Sequence, residues 1–239
     1  MERKYSTVLF DLDGTLLPMD YDAFFNVYFN ALSSSLDCFG FSRQVQMQAL
    51  MAGIETMMRN DGSRTNREAF WSVYENKLGT TEAQIIDVIN HFYSEVFPTL
   101  QSGAGYNPLS NKIVEVLKAK GYTLALATNP MFPTTATEQR VKWAGLNWDD
   151  FAAISCYEDY HFCKPNPDYF RELLHNINRQ PQECLMVGND TSEDGSCLLA
   201  GIECVIINDC LIDKKQIATI PKKSLQEFYE DVQNWDDVT

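Results

Sequence analysis

The sequence predicts an α/β fold: a doubly wound, Rossmann-like parallel sheet with an all-helical insertion. Three observations predict it. Short continuous apolar runs (YSTVLF at 5–10, YTLALA at 122–127, CLMV at 184–187 and CVIIN at 204–208) read as strands buried on both faces. From residue 108 onward such runs alternate with helical stripes, the order that builds a parallel sheet. Between the first run and the second, residues 18–100 show helical periodicity alone.

Taken in order, residues 5–10 form a strand that ends at Asp11. Phe25, Phe29, Leu32 and Leu36 make a first helical stripe, and Met47, Leu50, Met51, Ile54 and Met58 a second. Phe70, Val73, Tyr74 and Leu78 make a third. Ile85, Ile89, Phe92 and Val96 make a fourth, with Thr81 and Gln84 as its capping box. Four such helices joined by short loops form a small bundle; its methionines at 47, 51, 57 and 58 suit an adaptable surface of the insert, but packing in the bundle core explains them better and is the expectation. Asn107-Pro108 opens a helix with Ile113, Val116 and Leu117 inward, and Gly121 stops it. After the strand at 122–127, Thr135 and Glu138 would cap a helix reaching about Ala144. AAIS at 152–155 is a weaker strand. Asn166-Pro167 opens a helix with Phe170, Leu173, Leu174 and Ile177 on one face. A helix over 191–200 separates the last two strong strands, and 224–235 forms a final helix. The expected organisation is residues 1–17 plus 101–239 as the core and 18–100 as the insert. LPMDY (17–21) and QSGAGYNP (101–108) are the hinge.

Composition excludes several classes. With 33 acidic and 19 basic residues the formal net charge is −14, which argues against a nucleic-acid polymer as partner. An aromatic content of 12% argues against disorder. No stretch approaches the roughly 18 consecutive apolar residues of a membrane span, and acidic residues interrupt the N-terminus before a signal-peptide apolar region develops. Seven cysteines, with no CxxC, read as small buried hydrophobes in a reducing compartment, so a cytoplasmic location is expected. The three scattered histidines disfavour zinc.

The chemistry lies where the strands end. In open parallel sheets reactive groups gather at the carboxyl ends of the strands. The first strand ends in Asp11-Leu12-Asp13-Gly14-Thr15, and the next core strand in Thr128-Asn129. Lys164-Pro165 follows the weak strand. The fourth ends in Gly188-Asn189-Asp190, with Asp194 shortly after. Two carboxylates at Asp11 and Asp13 repel, so a cation, a shared proton or a lysine must offset them. Asp190 would add a third, making an oxygen-rich site suited to Mg²⁺. Lys164 would balance charge and bind a phosphoryl oxygen, while Thr128 and Asn129 offer neutral donors. Gly14 permits a tight turn whose amides can approach an anion. Each residue alone has an ordinary explanation: Asp13 and Asn129 as turn residues, Lys164 as a solvated lysine. Their convergence argues for a site.

DLDGT, TN, KP and GNDTSED, in that order at successive strand ends, resemble the motifs of the haloacid-dehalogenase-like (HAD) hydrolase superfamily. The insert resembles that superfamily's helical type-1 cap, so the implied architecture is a Rossmann-like core with an inserted all-helical cap domain. The resemblance implies a Mg²⁺-dependent phosphatase acting on a small phosphate monoester. Asp11 matches the nucleophile that forms an aspartyl-phosphate, and Asp13 the acid/base. Thr128, with Asn129 adjacent, and Lys164 match the phosphate-binding positions. The Asp11 carboxylate, the Asp13 carbonyl and Asp190 match the metal ligands. Asp194 matches the acid that ligates through water or orients the lysine. Many relatives carry a different residue where Asn189 stands, so Asn189 is expected only to support Asp190.

Asp13 also separates phosphoryl transfer from dehalogenation, since the dehalogenases lack an acid there. A phosphomutase or other phosphotransferase of the same family remains open, as does a non-catalytic phospho-ligand module. Lys77, the one lysine of the insert, sits at a helix end, which argues against phosphonate cleavage. Arg59, Arg64 and Arg67 form the most basic stretch of the insert. It reads either as a contact for an anionic leaving group or as a solvated interhelical loop. The partner is a small phosphorylated metabolite. A sugar phosphate, phosphoglycolate, a nucleoside monophosphate and a phosphorylated vitamin precursor all fit, and the sequence does not express an oligomeric state.

Overall fold

The computed structural model describes residues 5–215 and 219–238. Residues 1–4, 216–218 and 239, which the expected core segments include, lie outside the described residues. Six strands form one parallel sheet: β1 (Thr7–Phe10), β2 (Thr123–Leu126), β3 (Ala153–Ile154), β4 (Cys184–Gly188), β5 (Glu203–Ile207) and β6 (Lys222–Lys223). Their order is β3-β2-β1-β4-β5-β6. Val8 and Phe10 of β1 enter one apolar cluster and Leu9 the other, so both faces of the central strand are buried. That is why its sequence is continuously apolar rather than alternating. Edge strand β6 is absent from the sequence expectation because its two lysines carry no apolar pattern.

Helices cover both faces. Helices α5 (Pro108–Ala119), α6 (Thr134–Trp143) and α8 (Leu225–Gln233) contribute to the cluster around Phe10 and Leu126. Helix α7 (Pro167–Asn176) packs Tyr169, Phe170, Leu173 and Leu174 on the other side with Leu9 and Met186. Asn107 and Asn166 cap α5 and α7 just ahead of their prolines, as expected. Helix α6 starts differently. It begins at Thr134, whose N–H donates to both carboxylate oxygens of Glu158 at 3.1 Å, so a distant acid takes the place of the expected Thr135–Glu138 cap. The expected helix over 191–200 is reduced to a 3-10 helix, Asp194–Ala200. The Asp190 carboxylate accepts from the N–H groups of Ser192 (2.6 Å) and Glu193 (2.9 Å), a local turn that competes with helix.

Between β1 and β2 lie α1 (Tyr21–Ser35), α2 (Arg43–Met58), α3 (Asn66–Leu78) and α4 (Glu82–His91), followed by a π-turn at Phe92–Val96 and a 3-10 segment at Phe97–Gly103. The two connections to the sheet run side by side. Met19 bridges Ala104, and the Gly105 N–H donates to the Pro18 carbonyl at 2.7 Å. Aromatic contacts join insert to core, among them Tyr28 on Phe132 (5.4 Å between centroids) and Phe97 on Trp143 (5.1 Å).

The methionine stripe of α2 is corrected. Met51 and Met58 are exposed, while Ala49, Leu50, Gly53 and Met57 face inward. Gly53 lies against the Phe70 ring, and a Cβ there would overlap it. Small residues at this contact let α2 and α3 approach closely, which turns the neighbouring methionines outward. Gly53→Val is therefore expected to destabilise the protein by about 1–3 kcal/mol through overpacking, measured as a fall of several degrees in Tm.

Five of the seven cysteines are buried, Cys38 is exposed and Cys210 half-buried, and every thiol is free. Among the described residues no helix is long and apolar enough to cross a membrane.

Candidate active site

The chain leaves β1 toward β2 and β3 on one side and returns through β4 to β5 and β6 on the other. Such a reversal of strand order opens a crevice at the carboxyl ends. Here it is a cleft of about 660 Å³, whose walls include Asp11, Asp13, Thr128, Asn129, Asn189, Asp190 and Asp194. Lys164 lies beside them, buried. Residues from four separate loops thus meet at one edge of the sheet.

Lys164 is the electrostatic centre. Its Nζ lies 2.9 Å from Asp11 Oδ1 and 2.6 Å from Asp194 Oδ1. Burial opposes the ammonium, but the carboxylates of Asp11 and Asp194 outweigh it and hold Lys164 well above the usual lysine range. Asp11 moves the other way from most paired carboxylates. Burial pushes it up to about 8, with Asp194 and Asp13 adding repulsion that Lys164 only partly offsets. Asp194 is held from below, since its Oδ2 accepts from the N–H groups of Asn189 and Asp190, both at 2.9 Å. Gly188 makes room for that carboxylate, because a Cβ there would overlap it.

Asp13 has a separate partner. Its Oδ2 accepts from Arg140 Nη1, and its backbone carbonyl accepts from the Tyr21 hydroxyl. Gly14 follows at φ +80°, and a Cβ would run into the Asn189 amide and the Tyr21 hydroxyl. Asn189 is fully buried and acts as a brace. Its Nδ2 donates to the Cys210 carbonyl at 2.7 Å, and its Oδ1 accepts from the Thr15 hydroxyl at 3.2 Å. The Asn129 side chain is engaged locally: Oδ1 accepts from the Lys164 N–H at 3.1 Å and Nδ2 donates to Glu193 at 2.9 Å. It ties the β2 and Lys164 loops together while still lining the cleft.

The arginine stretch of the insert is not in the cleft. Arg59 pairs with Glu55 at 2.8 Å, Arg67 pairs with Glu82, and Arg64 is exposed. The intervening asparagines do the docking instead. Asn66 is fully buried, and its Nδ2 donates to the carbonyls of Pro130 and Phe162 at 3.3 Å. The N–H groups of Asn66 and Arg67 donate to Tyr160 and Tyr157 carbonyls at 2.8 Å.

The donor set fits a hard divalent cation. Asp190 Oδ1 is held by backbone N–H groups, while among the described residues Oδ2 has only the ammonium of Lys214, an exposed side chain, at 3.5 Å. Four carboxylates (Asp11, Asp13, Asp190, Asp194) face two buried cations, Lys164 and Arg140, leaving an excess of negative charge. Among the described residues no group of three His, Cys, Asp or Glu side chains converges to hold a metal. Two carboxylates and a carbonyl, completed by water, need no such group.

Arg140, Tyr21, Glu193 and Lys214 lie at or beside the site and were not anticipated. One signal was available. Ala136, Arg140 and Trp143 share a helix face at i, i+4 and i+7 and all three are buried. An arginine on an inward face needs a partner.

Comparison with known proteins gives a consistent set. A family model described as haloacid dehalogenase-like hydrolase matches residues 5–195. Pyrophosphatase PpaX of Bacillus mycoides (strain KBAB4) is 23% identical over 192 residues, 78% of this chain and 76% of that protein. A HAD phosphatase from Thermococcus onnurineus aligns with a TM-score of 0.63 at 19% identity, covering 98% of this chain and all of that one. A 2-haloacid dehalogenase from Pseudomonas syringae pv. Tomato DC3000 aligns with a TM-score of 0.65 at 21% identity, covering 97% and 99%. The two solved structures share the fold and catalyse different reactions, so the fold alone does not choose the chemistry.

Proposed function

Because the chain belongs to the haloacid dehalogenase-like hydrolases, we propose that it is a Mg²⁺-dependent phosphatase that hydrolyses a small phosphate monoester through an aspartyl-phosphate on Asp11. One observation carries this reading. Two carboxylates two residues apart have different partners: Asp11 pairs with the buried ammonium of Lys164, and Asp13 with the guanidinium of Arg140. Carboxylates in distinct environments can hold opposite protonation states, which an acid/base and a nucleophile require. A dehalogenase would have no use for the second.

In this mechanism Asp11 attacks phosphorus, and the Lys164 ammonium offsets charge on the transferring phosphoryl oxygens. Thr128 offers its hydroxyl to the same group. Asp13 protonates the departing oxygen and then takes a proton from water. The Asp11 carboxylate, the Asp13 carbonyl and an Asp190 oxygen would hold Mg²⁺, whose charge polarises the phosphoryl group when bound. Asp194 and Asn189 keep Lys164 and Asp190 in place. Residues 18–100 act as a cap over the core formed by 1–17 and 101–239, and the partner is a small phosphorylated metabolite in the cytoplasm.

The test is phosphate release from p-nitrophenyl phosphate and from a panel of phosphorylated metabolites, with and without Mg²⁺. Turnover that needs Mg²⁺ is expected. Absence of turnover on every ester would overturn the proposal in favour of a binding module.

A further inference from the structure

Inside the helical insert lies a cavity of about 210 Å³ that the chemistry of the cleft does not use. Helices α1 to α4 supply most of its wall, and the core closes it with Phe132, Pro133 and Tyr157 among others. Among the described residues it shares no lining residue with the catalytic cleft. Packed side chains separate the two. Phe132 lines the cavity, its ring centroid lies 4.5 Å from the Arg140 guanidinium carbon, and Arg140 pairs with Asp13 of the cleft. The cavity does share Ile89, Tyr93, Pro133 and Tyr157 with a surface depression of about 480 Å³, so the two adjoin and the depression is the way in from solvent.

The wall selects by chemistry. Among the described residues no charged side chain lines the cavity, and burying an unpaired ion is costly, so its occupant is uncharged. Eight of its fourteen lining residues are aromatic, which favours a flat ring packed by face or edge. An apolar cavity of roughly 150 Å³ holds benzene, so this one has room for a ring with a substituent. A second observation concerns the polar atoms in the wall. Trp71 is 5% exposed, and its Nε1 is buried without a hydrogen bond of ordinary geometry. It lies near the Tyr157 hydroxyl, which in turn acts on the hydroxyls of Tyr28 and Tyr93. Those two hydroxyls bond each other at 2.8 Å, which uses one of their two protons. Burial pushes Tyr28 up to about 12 and holds Tyr93 well above the usual tyrosine range, so both stay neutral. Spare N–H and O–H protons thus gather in one part of an apolar wall. Buried donors without acceptors are unfavourable, and a few convergent polar groups in an apolar cavity are the pattern of a small-molecule site.

We propose that the seam of insert and core holds a second ligand site, apart from the cleft, for a small uncharged aromatic molecule that carries a hydrogen-bond acceptor. The ring packs among the aromatic walls. Its acceptor takes the Trp71 N–H, with the spare tyrosine proton close by. Such a ligand touches insert and core at once, so it favours the docked arrangement over any in which the two separate.

The experiment titrates the full chain with benzamide, toluene and benzoate, followed by calorimetry and by Tm. Benzamide is a neutral ring with an acceptor, toluene lacks the acceptor, and benzoate carries a charge. Benzamide is expected to bind once per chain and to raise Tm as its concentration rises. Toluene should bind about two- to tenfold more weakly, the span of one hydrogen bond. Benzoate should bind at least about tenfold more weakly than benzamide, because its charge finds no partner. Trp71→Phe should weaken benzamide by about two- to tenfold and leave toluene nearly unchanged. Ile54→Phe, which fills the cavity from a half-buried position, should abolish binding of both. Inorganic phosphate with Mg²⁺, added to load the cleft, should leave the benzamide Kd within about twofold, as for independent sites.

No saturable benzamide binding, or binding that Ile54→Phe leaves intact, would overturn the site. Benzoate as tight as benzamide, or Trp71→Phe without effect, would overturn the recognition assigned to it. Competition by phosphate would put the ring in the catalytic cleft and so overturn a separate site. Should Trp71→Phe fail to fold, benzamide against toluene on the wild-type protein tests the same hydrogen bond. These outcomes do not depend on the reaction assigned to the cleft, since a protein without phosphatase activity would bind the three probes in the same order.

Discussion

Asp11→Asn is expected to lower turnover of phosphate esters by at least about 10⁴-fold, the scale of removing a nucleophile, while leaving the protein folded. The substitution preserves shape, and Lys164 keeps its second partner, Asp194, at 2.6 Å. Stability should respond to pH in a defined direction. In the metal-free protein, burial pushes Asp11 up to about 8, above its ordinary carboxylate value. A raised folded-state value means the folded protein binds that proton more tightly than the unfolded chain. Its stabilising contribution is complete below the ordinary value and is lost as pH rises toward and through about 8. Asp11→Asn removes this loss. The metal-free variant should therefore melt above wild type at pH 9, with the gap closing toward pH 5. Added Mg²⁺ should raise the wild-type Tm at pH 9, because a cation beside Asp11 offsets the charge that burial penalises. A gap that widens on acidification would contradict the assignment of Asp11 as the strained carboxylate.

Lys164→Met should cost both activity and stability. It leaves Asp11 and Asp194 buried with no ammonium between them, and breaking a buried pair in this way destabilises by about 3–5 kcal/mol. Lys164 is held above its ordinary value, so its contribution is present through neutral pH and lost only in strong alkali. The loss of Tm should accordingly be large at pH 8. It should grow further above about pH 8, where the wild-type protein sheds the Asp11 proton and the variant lacks an ammonium to offset the charge. Activity should fall by at least about 10²-fold, the effect of deleting an electrostatic stabiliser. Thermal melts across pH and initial rates on p-nitrophenyl phosphate measure both. Lys164→Arg is not a substitute, since a planar fork does not fill the space of a point charge between two carboxylates.

Much of the fold was legible because its signals are local. YTLALA is apolar without alternation, and it became β2, buried on both faces. Asn107-Pro108 and Asn166-Pro167 each start a helix through contacts within a few residues. Where the deciding contact is remote, the expectation shifts. Glu158 caps α6 from 24 residues away. Met51 and Met58 turn outward because Gly53 admits Phe70 of another helix. Strand β6 exists because β5 leaves an edge for it, not because Lys222 and Lys223 favour a strand.

The candidate site divides along the same line. The sequence by itself determined that Asp11, Thr128, Lys164 and Asp190 come together, because each follows a strand and parallel strands bring their carboxyl ends to one edge. Only the tertiary structure decided which charge each carboxylate meets. Asp11 meets Lys164 across 153 positions of chain, and Asp13 meets Arg140 across 127. Spacing along a chain states which groups reach the same cleft. The partner of each group depends on distances of a few ångströms in a buried, weakly screened interior, where electrostatic energies change steeply with position, and those distances exist only once the insert and the sheet have packed.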